Sequence, residues 1–330
     1  MKSARRLFVT AAVAGALSVT LCAAQAQTPA AYPSKPITVV VAYPPGGDTD
    51  AIARLFADKL SQRLKQPVVI DNKPGAGGAL GNNYVGRAPA DGYTLLFTPN
   101  PFTTAPLVMK LSPSAGYDVL HGFEPIIKTA VQPLVLVANP AAGVKSVPDM
   151  VKSVKAGKPL SYASPGAGSP MHILGEWLNR EAGVKITHVP YRGVGPSVTD
   201  VVAGHVDTAW VTFGPVTQYI QQGRLVPLAI GDAQRSKLAP NVPTLVEAGY
   251  KDVVVGSWNG FFAPKGTSPE IVKLLNAQVN EILKSPEVVD KLATFGALPV
   301  GGAPEVLGKT NASDYEVMGK VIRDLGVQAD

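Results

Sequence analysis

Residues 42–55 read AYPPGGDTDAIARL, and this stretch decides how the chain folds. The run before it, ITVVV over residues 37–41, is typical of a buried strand. After it, apolar side chains recur at helical spacing, at Ile52, Leu55, Phe56 and Leu60. Two prolines stop the strand, and two glycines let the backbone turn and approach another group closely. The stretch therefore predicts a strand, a glycine turn and a helix.

The predicted turn is suited to binding anions. Asp48, Thr49 or Asp50 is expected to cap the helix. The first backbone N–H groups of a helix lack partners within it, and they lie at the positive end of the helix dipole. Both features attract negative charge to the space above the strand. An ordinary capped loop without a ligand explains the turn equally well at this stage.

The first 26 residues have the pattern of a signal peptide. Three basic residues lie within positions 2–6, an apolar stretch covers residues 7–22, and Ala-Gln-Ala at 24–26 is a small-x-small cleavage site. The apolar stretch is short for a membrane span, although a retained anchor is the alternative. Leu21 stands where a lipoprotein processing site needs a small residue, so lipidation of Cys22 is not expected. We expect cleavage near Ala26 and export to a bacterial periplasm.

Cleavage would leave about 300 residues, enough for two domains with cores of their own. The single cysteine, Cys22, leaves with the signal peptide, so neither disulfides nor thiol chemistry are expected. Three positive charges leave as well, which lowers the formal net charge from +6 to +3. A surface with so weak a charge, and without Lys- and Arg-rich runs interleaved with aromatic residues, predicts no binding to nucleic acid.

Two later glycine-rich turns resemble the first. Residues 71–81, DNKPGAGGALG, lack the spacing of a dinucleotide-binding loop, since Leu80 stands where its last glycine belongs. Residues 164–170, SPGAGSP, follow a short predicted strand, and there Ser169 is a good N-cap with Pro170 at the first helical position. Strand and helix patterns alternate through residue 230. This alternation predicts an α/β fold of mainly parallel sheets flanked by helices.

A polar loop with one aromatic residue, TPNPFTT at residues 98–104, leaves the third predicted strand. In open α/β sheets, ligands bind at the carboxyl ends of the strands. The loop is therefore expected at the same edge of the sheet as the first turn, although it would look the same as an ordinary capped loop.

Patterns typical of catalysis are scarce. The four histidines, at positions 121, 172, 188 and 205, lack the helical spacing of a zinc site and have no cysteine partners. Neither a G-x-S-x-G nucleophile elbow nor a G-x-x-x-x-G-K phosphate loop occurs. Asp48 and Asp50 could act as acid and base, but helix capping explains them better. We therefore predict no catalytic residues, no metal and no cofactor.

The order of these motifs resembles that of the Bug/TctC family, the periplasmic solute-binding proteins of tripartite tricarboxylate transporters. The motifs are a signal peptide, YPSKPITVVVAYPPGGDTDAIARL (32–55), DNKPGAGGALG (71–81), ADGYTLL (90–96), SYASPGAGSPMH (161–172) and HVPYRG (188–193). The resemblance implies a two-domain Venus-flytrap architecture, like that of periplasmic binding proteins. Domain one would comprise residues 27–130 plus 253–330, and domain two residues 131–252. Residues 134–138 and 253–262 would be the hinge strands, with the ligand in the cleft.

The resemblance also implies which residues bind a carboxylate, with backbone amides and ordered water at the first turn. The implied ligand-binding residues are Pro45, Gly46, Gly47, Asp50, Thr98, Asn100 and Phe102 from domain one, and Ser164, Gly166, Ala167, Gly168, Ser169, His172, Tyr191, Arg192 and Phe213 from domain two. Arg192 could pair with a distal carboxylate or lie outside the cleft. Phe102, Phe213 and Trp258 could form an aromatic wall or belong to the core and hinge. Many relatives carry an acid-x-Leu-Pro turn where this chain has WVTFGP at residues 210–215, so their ligand preference does not transfer.

The favoured hypothesis is a monomeric binding protein that closes on a small organic carboxylate, either a di- or tricarboxylate or an aromatic acid. It would deliver this ligand to membrane transporter subunits. A ligand sensor for a two-component system is an alternative that the sequence does not separate from it. A less favoured alternative is an enzyme acting on a carboxylate, with Asp48 or Asp50 as base and His172 as partner.

Overall fold

Strands and helices alternate along the chain, as the hydrophobic pattern predicts. The computed structural model describes residues 32–112 and 115–328, so the predicted signal peptide lies outside the described residues. The strands are β1 (Ile37–Val41), β2 (Val68–Asn72), β3 (Thr94–Pro99), β4 (Phe123–Gln132), β5 (Leu134–Ala138), β6 (Ser161–Ser164), β7 (Thr187–Pro190), β8 (Thr208–Thr212), β9 (Val226–Ile230), β10 (Ser257–Pro264) and β11 (Leu298–Pro299). The helices are α1 (Asp48–Leu64), α2 (Ala79–Gly86), α3 (Pro101–Val108), α4 (Val147–Lys155), α5 (Pro170–Ala182), α6 (Val194–Ala203), α7 (Thr217–Gln221), α8 (Pro269–Leu283), α9 (Pro286–Thr294) and α10 (Pro304–Leu325).

Helix α1 forms where the apolar stripe predicts it. Ile52, Phe56 and Leu60 are buried, and the Phe56 ring lies 6.0 Å from the ring of Phe261 on β10. Burying each of these side chains stabilises the fold by about 2 kcal/mol. The stripe therefore fixes α1 against the sheet and, with it, the direction in which the preceding glycine turn points.

The described strands form two sheets within one compact unit that begins at Lys35. The first has the order β11-β4-β10-β3-β1-β2 and the second the order β7-β6-β8-β5-β9. We call the part of the fold built on the first sheet lobe one and the part built on the second lobe two. Helices flank both sheets, so the predicted α/β class is confirmed.

Both sheets are mixed rather than mainly parallel. In lobe one β1 runs parallel to β2 and β3, whereas β10 runs antiparallel to β3 and β4. In lobe two β6 runs parallel to β7 and β8, whereas β5 runs antiparallel to β8 and β9. The reason is the passage between the lobes. β5 and β10 enter their sheets from the edge at which the parallel strands end, and so they must run the opposite way.

The distribution of strands supports the predicted division into domains, which stays a prediction. Strands from residues 37–132 and 257–299 share the first sheet, and those from residues 134–230 share the second. Only Pro133 separates β4 from β5, and the predicted boundary after residue 130 lies inside β4. The predicted hinge strand 134–138 coincides with β5, which lies wholly in the second sheet.

The last helix packs against both lobes. Leu307, near its start, lies in the lobe-one core with Phe102 and Phe262. Met318 and Ile322, near its end, lie in the lobe-two core that also contains Trp210 and Trp177. Residues 253–330 therefore do not serve domain one alone, because the final turns of α10 complete the core of lobe two.

Within residues 32–112 and 115–328, no helix is both long and apolar enough to span a membrane.

Candidate functional site

The two sheets present the carboxyl ends of their parallel strands to each other. In lobe one β1 and β3 end at Val41 and Pro99, and in lobe two β6 and β8 end at Ser164 and Thr212. The chain crosses between these edges through Pro133. A hydrogen bond of 3.1 Å from the Thr212 hydroxyl to Asp48 Oδ2 joins them. Open α/β folds bind ligands at this edge of the sheet, and we call the region between the two edges the cleft.

The first turn of the cleft is capped by glycine, so the prediction of a side-chain cap from Asp48, Thr49 or Asp50 is wrong. Gly47 is the N-cap, with an extended backbone at φ −84° and ψ 171°, and α1 begins at Asp48. Gly46 has φ +84°, a conformation that only glycine adopts freely. Pro45, Gly46 and Gly47 are all exposed, so the backbone of this turn is open to a ligand.

Asp50 fixes the conformation of the turn by hydrogen bonding to its backbone. Its carboxylate is 3% exposed and accepts hydrogen bonds of 2.9 Å from Gly46 N, from Arg54 Nε and from Asn72 Nδ2. Burial acts to raise the pKa of Asp50, but these three donors and the charge of Arg54 hold it below its ordinary value. With its oxygens so engaged, Asp50 is built into the framework of the turn and is poorly placed to act as a base.

Residues 98–104, predicted to be a polar loop, instead form the end of β3 and the start of α3, with only Asn100 between the two elements. Asn100 donates to the carbonyl of Gly256 at 2.9 Å and accepts from the Ser257 hydroxyl at 3.3 Å. The Thr98 hydroxyl donates to Asn82 Oδ1 at 3.3 Å. Thr98 and Asn100 are both buried, so the polar group of each is hydrogen-bonded inside lobe one and supports the residues that border the cleft.

The structure places Phe102 in the core and not on the cleft wall. It is 0% exposed, and its ring stacks on Phe262 at 4.7 Å and meets Phe123 edge-on at 5.1 Å. Its backbone carbonyl accepts a hydrogen bond from the Tyr117 hydroxyl. Phe102 is the second residue of α3, and its neighbours there belong to the lobe-one core.

The second glycine turn is built as the sequence predicts. Ser169 is the N-cap of α5, its hydroxyl accepting from His172 N at 3.2 Å, and Pro170 is the first helical residue. Gly168 N donates to His172 Nδ1 at 2.9 Å. Gly166, with φ +155°, is partly buried and Ala167 is exposed. This turn faces the cleft as the lobe-two counterpart of the first.

Two histidines stack behind the second turn. The rings of His172 and His188 lie 3.9 Å apart at 9°, and His188 Nε2 lies 2.7 Å from the Ser164 hydroxyl. Burial and the neighbouring His172 lower the pKa of His188 to about 4, and burial lowers the pKa of His172 despite the nearby Glu176. Both rings are therefore neutral at pH 7 and fix the turn. Sequence reasoning missed His188, because two histidines 16 positions apart give no periodic signal.

The PYRG turn lies beside the second glycine turn. Tyr191 N donates to Ser164 O, and Gly193 N donates to Pro165 O, each at 2.9 Å. The Tyr191 hydroxyl donates to Asp200 at 2.6 Å. Its proton is therefore engaged within the protein and is not free for a ligand. Arg192 is exposed. The two turns therefore form one backbone surface, with Arg192 at its rim.

The two remaining aromatic candidates are buried. Phe213 is 7% exposed and lies in the lobe-two core with Val211 and Val216. Trp258 is 2% exposed and donates from Nε1 to Asp314 at 2.7 Å. Next to Phe213, Gly214 lies so close to lobe one that a Cβ on it would stand 2.5 Å from Phe295 O. Both aromatic side chains therefore belong to the packing, Phe213 to that of lobe two and Trp258 to that of lobe one.

Asp48 is the carboxylate that lies in the cleft itself. It is partly buried, and the side chains of Thr212 and Gln132 both donate to it. Burial raises the pKa of Asp48, and these two hydrogen bonds act in the opposite direction. The predicted pairing of Asp48 or Asp50 with His172 is not seen among the described residues. Nor does that part of the chain contain a cluster of three or more residues able to hold a metal ion.

The whole chain can also be compared with known proteins. A family model described as "Tripartite tricarboxylate transporter family receptor" matches residues 52–327. The chain belongs to this family. The predicted resemblance to Bug/TctC proteins is thereby confirmed, and among its relatives the receptor is 38% identical to protein BugT of Bordetella pertussis over 301 residues, which are 90% of this chain and 91% of BugT.

Solved structures agree with this family. The receptor matches Rpa4515 of R. palustris, solved with adipate, with a TM-score of 0.80 and 33% identity, covering 90% of this chain and 99% of that one. It matches MatC (Rpa3494) of Rhodopseudomonas palustris, solved with bound malate, with a TM-score of 0.77 and 31% identity, covering 88% and 100%. Both of these structures hold small dicarboxylates.

Proposed function

We propose that this receptor captures a small organic carboxylate between its lobes in the periplasm and delivers it to the membrane components of a tripartite tricarboxylate transporter. The observation that carries the proposal is the pair of glycine turns, residues 44–48 and 164–169, at the facing edges of the two sheets. Each turn leads into a helix, so each offers backbone N–H groups at the positive end of a helix dipole. Two such turns suit a ligand with an acidic group.

The ligand-binding groups on this proposal are mainly backbone. Gly47 and Ala167 lie at exposed points of the two turns, and Arg192 at the rim can reach a distal acidic group. Asp50, Ser164 and His172 hold these turns in place through the contacts described above, whereas Thr98 and Asn100 fix the end of β3. A site of this kind binds the carboxylate group strongly and leaves the rest of the ligand to the cleft walls.

Closure follows from contacts made to both lobes at once. A ligand shifts an equilibrium between open and closed forms only by binding one form better than the other. A carboxylate bridging the turns meets this condition, because it finds both sets of donors only when the lobes approach. We propose that the closed form then docks, as a monomer, on the transporter subunits.

Direct binding measurements test the first part of the proposal. Residues 27–330 are purified, and isothermal titration calorimetry is run with mono-, di- and tricarboxylates, aromatic acids, and amides of the same carbon skeletons. A matched acid that binds while its uncharged amide does not supports the anion-binding turns. Equal binding of acid and amide, or binding of neither across the panel, would contradict the proposal.

Uptake of the bound acid tests the delivery step. A strain lacking the gene should lose high-affinity uptake of the radiolabelled acid, and the gene restored on a plasmid should return it. Unchanged uptake in the deletion strain would mean that the receptor binds the acid for another purpose.

A further inference from the structure

Asp48 is the carboxylate of the cleft that no cation within residues 32–112 and 115–328 neutralises. Among the described residues it forms no ion pair, whereas Asp50, two positions along the same turn, pairs with Arg54. Its hydrogen-bond donors, Thr212 and Gln132, are both neutral. A carboxylate removed from water without a countercharge is costly, so the site gains from any positive group that enters the cleft beside it.

The position of Asp48 makes a ligand the natural source of that group. Its carboxylate lies between the carboxyl edges of the two sheets, hydrogen-bonded across to Thr212 of lobe two. Gln132, its second donor, is itself fixed by Asn259, which donates to Gln132 Oε1 at 3.0 Å. The carboxylate is therefore held in place and points at the same cleft as the glycine turns.

A negative charge at this point divides the cleft into two unlike halves. The lobe-two turn, residues 164–169, has no carboxylate among its own residues and offers backbone donors to an anion. The lobe-one turn carries Asp48 beside its own donors, and like charges a few ångströms apart repel. An acid with carboxylates at both ends would fit one half and be disfavoured in the other.

We propose that Asp48 makes this receptor select amino acids, with the ligand's ammonium group at Asp48 and a carboxylate in the lobe-two turn. This inference rests on the function proposed above and names the class of acid that the same site takes. An ammonium group would neutralise the charge of Asp48 and donate hydrogen bonds to its carboxylate, which a methylene in the corresponding plain acid cannot do.

Matched ligand pairs test the selection in the intact mature chain. Calorimetry compares aspartate with succinate, glutamate with glutarate, and 4-aminobutyrate with butyrate, for wild type, Asp48→Asn and Asp48→Ser. The control is Asp58→Asn, because Asp58 is an exposed carboxylate on the same helix, where it accepts from Gln62. Circular dichroism and the melting temperature show that each variant is folded.

The expected result is a preference of at least tenfold for the amino member of a pair, kept in the Asp58 variant and lost in both Asp48 variants. A wild-type preference for the plain acid would overturn the inference. So would an equal loss of affinity for both members in Asp48→Asn, because Asp48 would then act only as a contact between the lobes. Failure of every acid to bind overturns the proposed function itself, whereas binding without preference overturns only the role of Asp48. The wild-type comparison stands even if one variant fails to fold.

Discussion

Replacing Asp50 with alanine should loosen the first glycine turn and destabilise the protein by about 3 kcal/mol. Hydrogen bonds to a charged group are worth about 1.5–3 kcal/mol each, and we take the lower value for Gly46 N and Asn72. The Arg54 side chain is 53% exposed, so solvent reduces its share to only about 0.3 kcal/mol. Asp50→Asn keeps the shape and one acceptor oxygen, and should cost about half as much.

Thermal and urea unfolding measure this loss. For a chain of this size, about 3 kcal/mol corresponds to a fall in Tm of roughly 6 °C. The control is Asp58→Ala on the exposed face of the same helix, which should change the stability by less than about 0.5 kcal/mol. Affinity for the bound acid should fall in the Asp50 variant and not in the control, since Gly46 loses the group that fixes its N–H.

The same variant has a distinctive dependence on pH. The pKa of Asp50 is lowered in the folded protein, so its contribution is present above the unfolded value near 4 and is lost as the pH falls through the folded value. The difference between wild type and Asp50→Ala should therefore shrink in acid. A Tm within 1 °C of wild type at pH 7, or a difference that grows in acid, would refute the role assigned to Asp50.

Three further substitutions probe the cleft and its supports. Gly214→Ala would place a Cβ 2.5 Å from Phe295 O. We therefore expect at least tenfold weaker ligand binding and, in X-ray scattering, a larger radius of gyration of the protein with ligand. An unchanged radius would show that closure does not need this contact. His188 has a pKa lowered to about 4, so the unfolded chain binds more protons between pH 6.5 and 4 and wild-type stability should fall over that range. The loss of stability should be smaller in His188→Gln. If the stabilities of wild type and variant change in parallel between pH 6.5 and 4, the lowered pKa assigned to His188 is contradicted. Phe102→Ala should cost about 3–5 kcal/mol while the affinity of the folded variant, measured by calorimetry at low temperature, stays within about threefold; a selective loss of affinity would instead place the ring in the pocket.

The local elements of this fold could be predicted well because their signals are short-range. The apolar stripe of α1 and the Ser169 cap with Pro170 each act within a few residues, and both form as predicted. The residue that caps α1 could not be predicted from such local signals. Asp50 looks like a capping residue in sequence, but α1 begins two residues before it, and its carboxylate accepts from Gly46, Arg54 and Asn72 instead.

Long-range contacts account for the remaining differences. The antiparallel course of β5 and β10 depends on where the chain crosses between the lobes, which strand patterns do not record. The stacked pair of His172 and His188 depends on β7 lying beside β6. The sequence predicts Phe102 in an exposed loop, yet it lies in α3, where the rings of Tyr117, Phe123 and Phe262 enclose it. Such placements follow from tertiary packing, and local sequence patterns carry no information about it.

The way α10 spans the molecule bears on the order in which the chain folds. All the strands of lobe two have been synthesised by Ile230, but Met318, Val321 and Ile322 of its core belong to the last helix. Until those residues arrive, lobe two exposes an apolar face that only the C-terminal end of the chain can cover. A polypeptide emerging from its N-terminus onward would therefore acquire a finished second lobe only as its last helix docks.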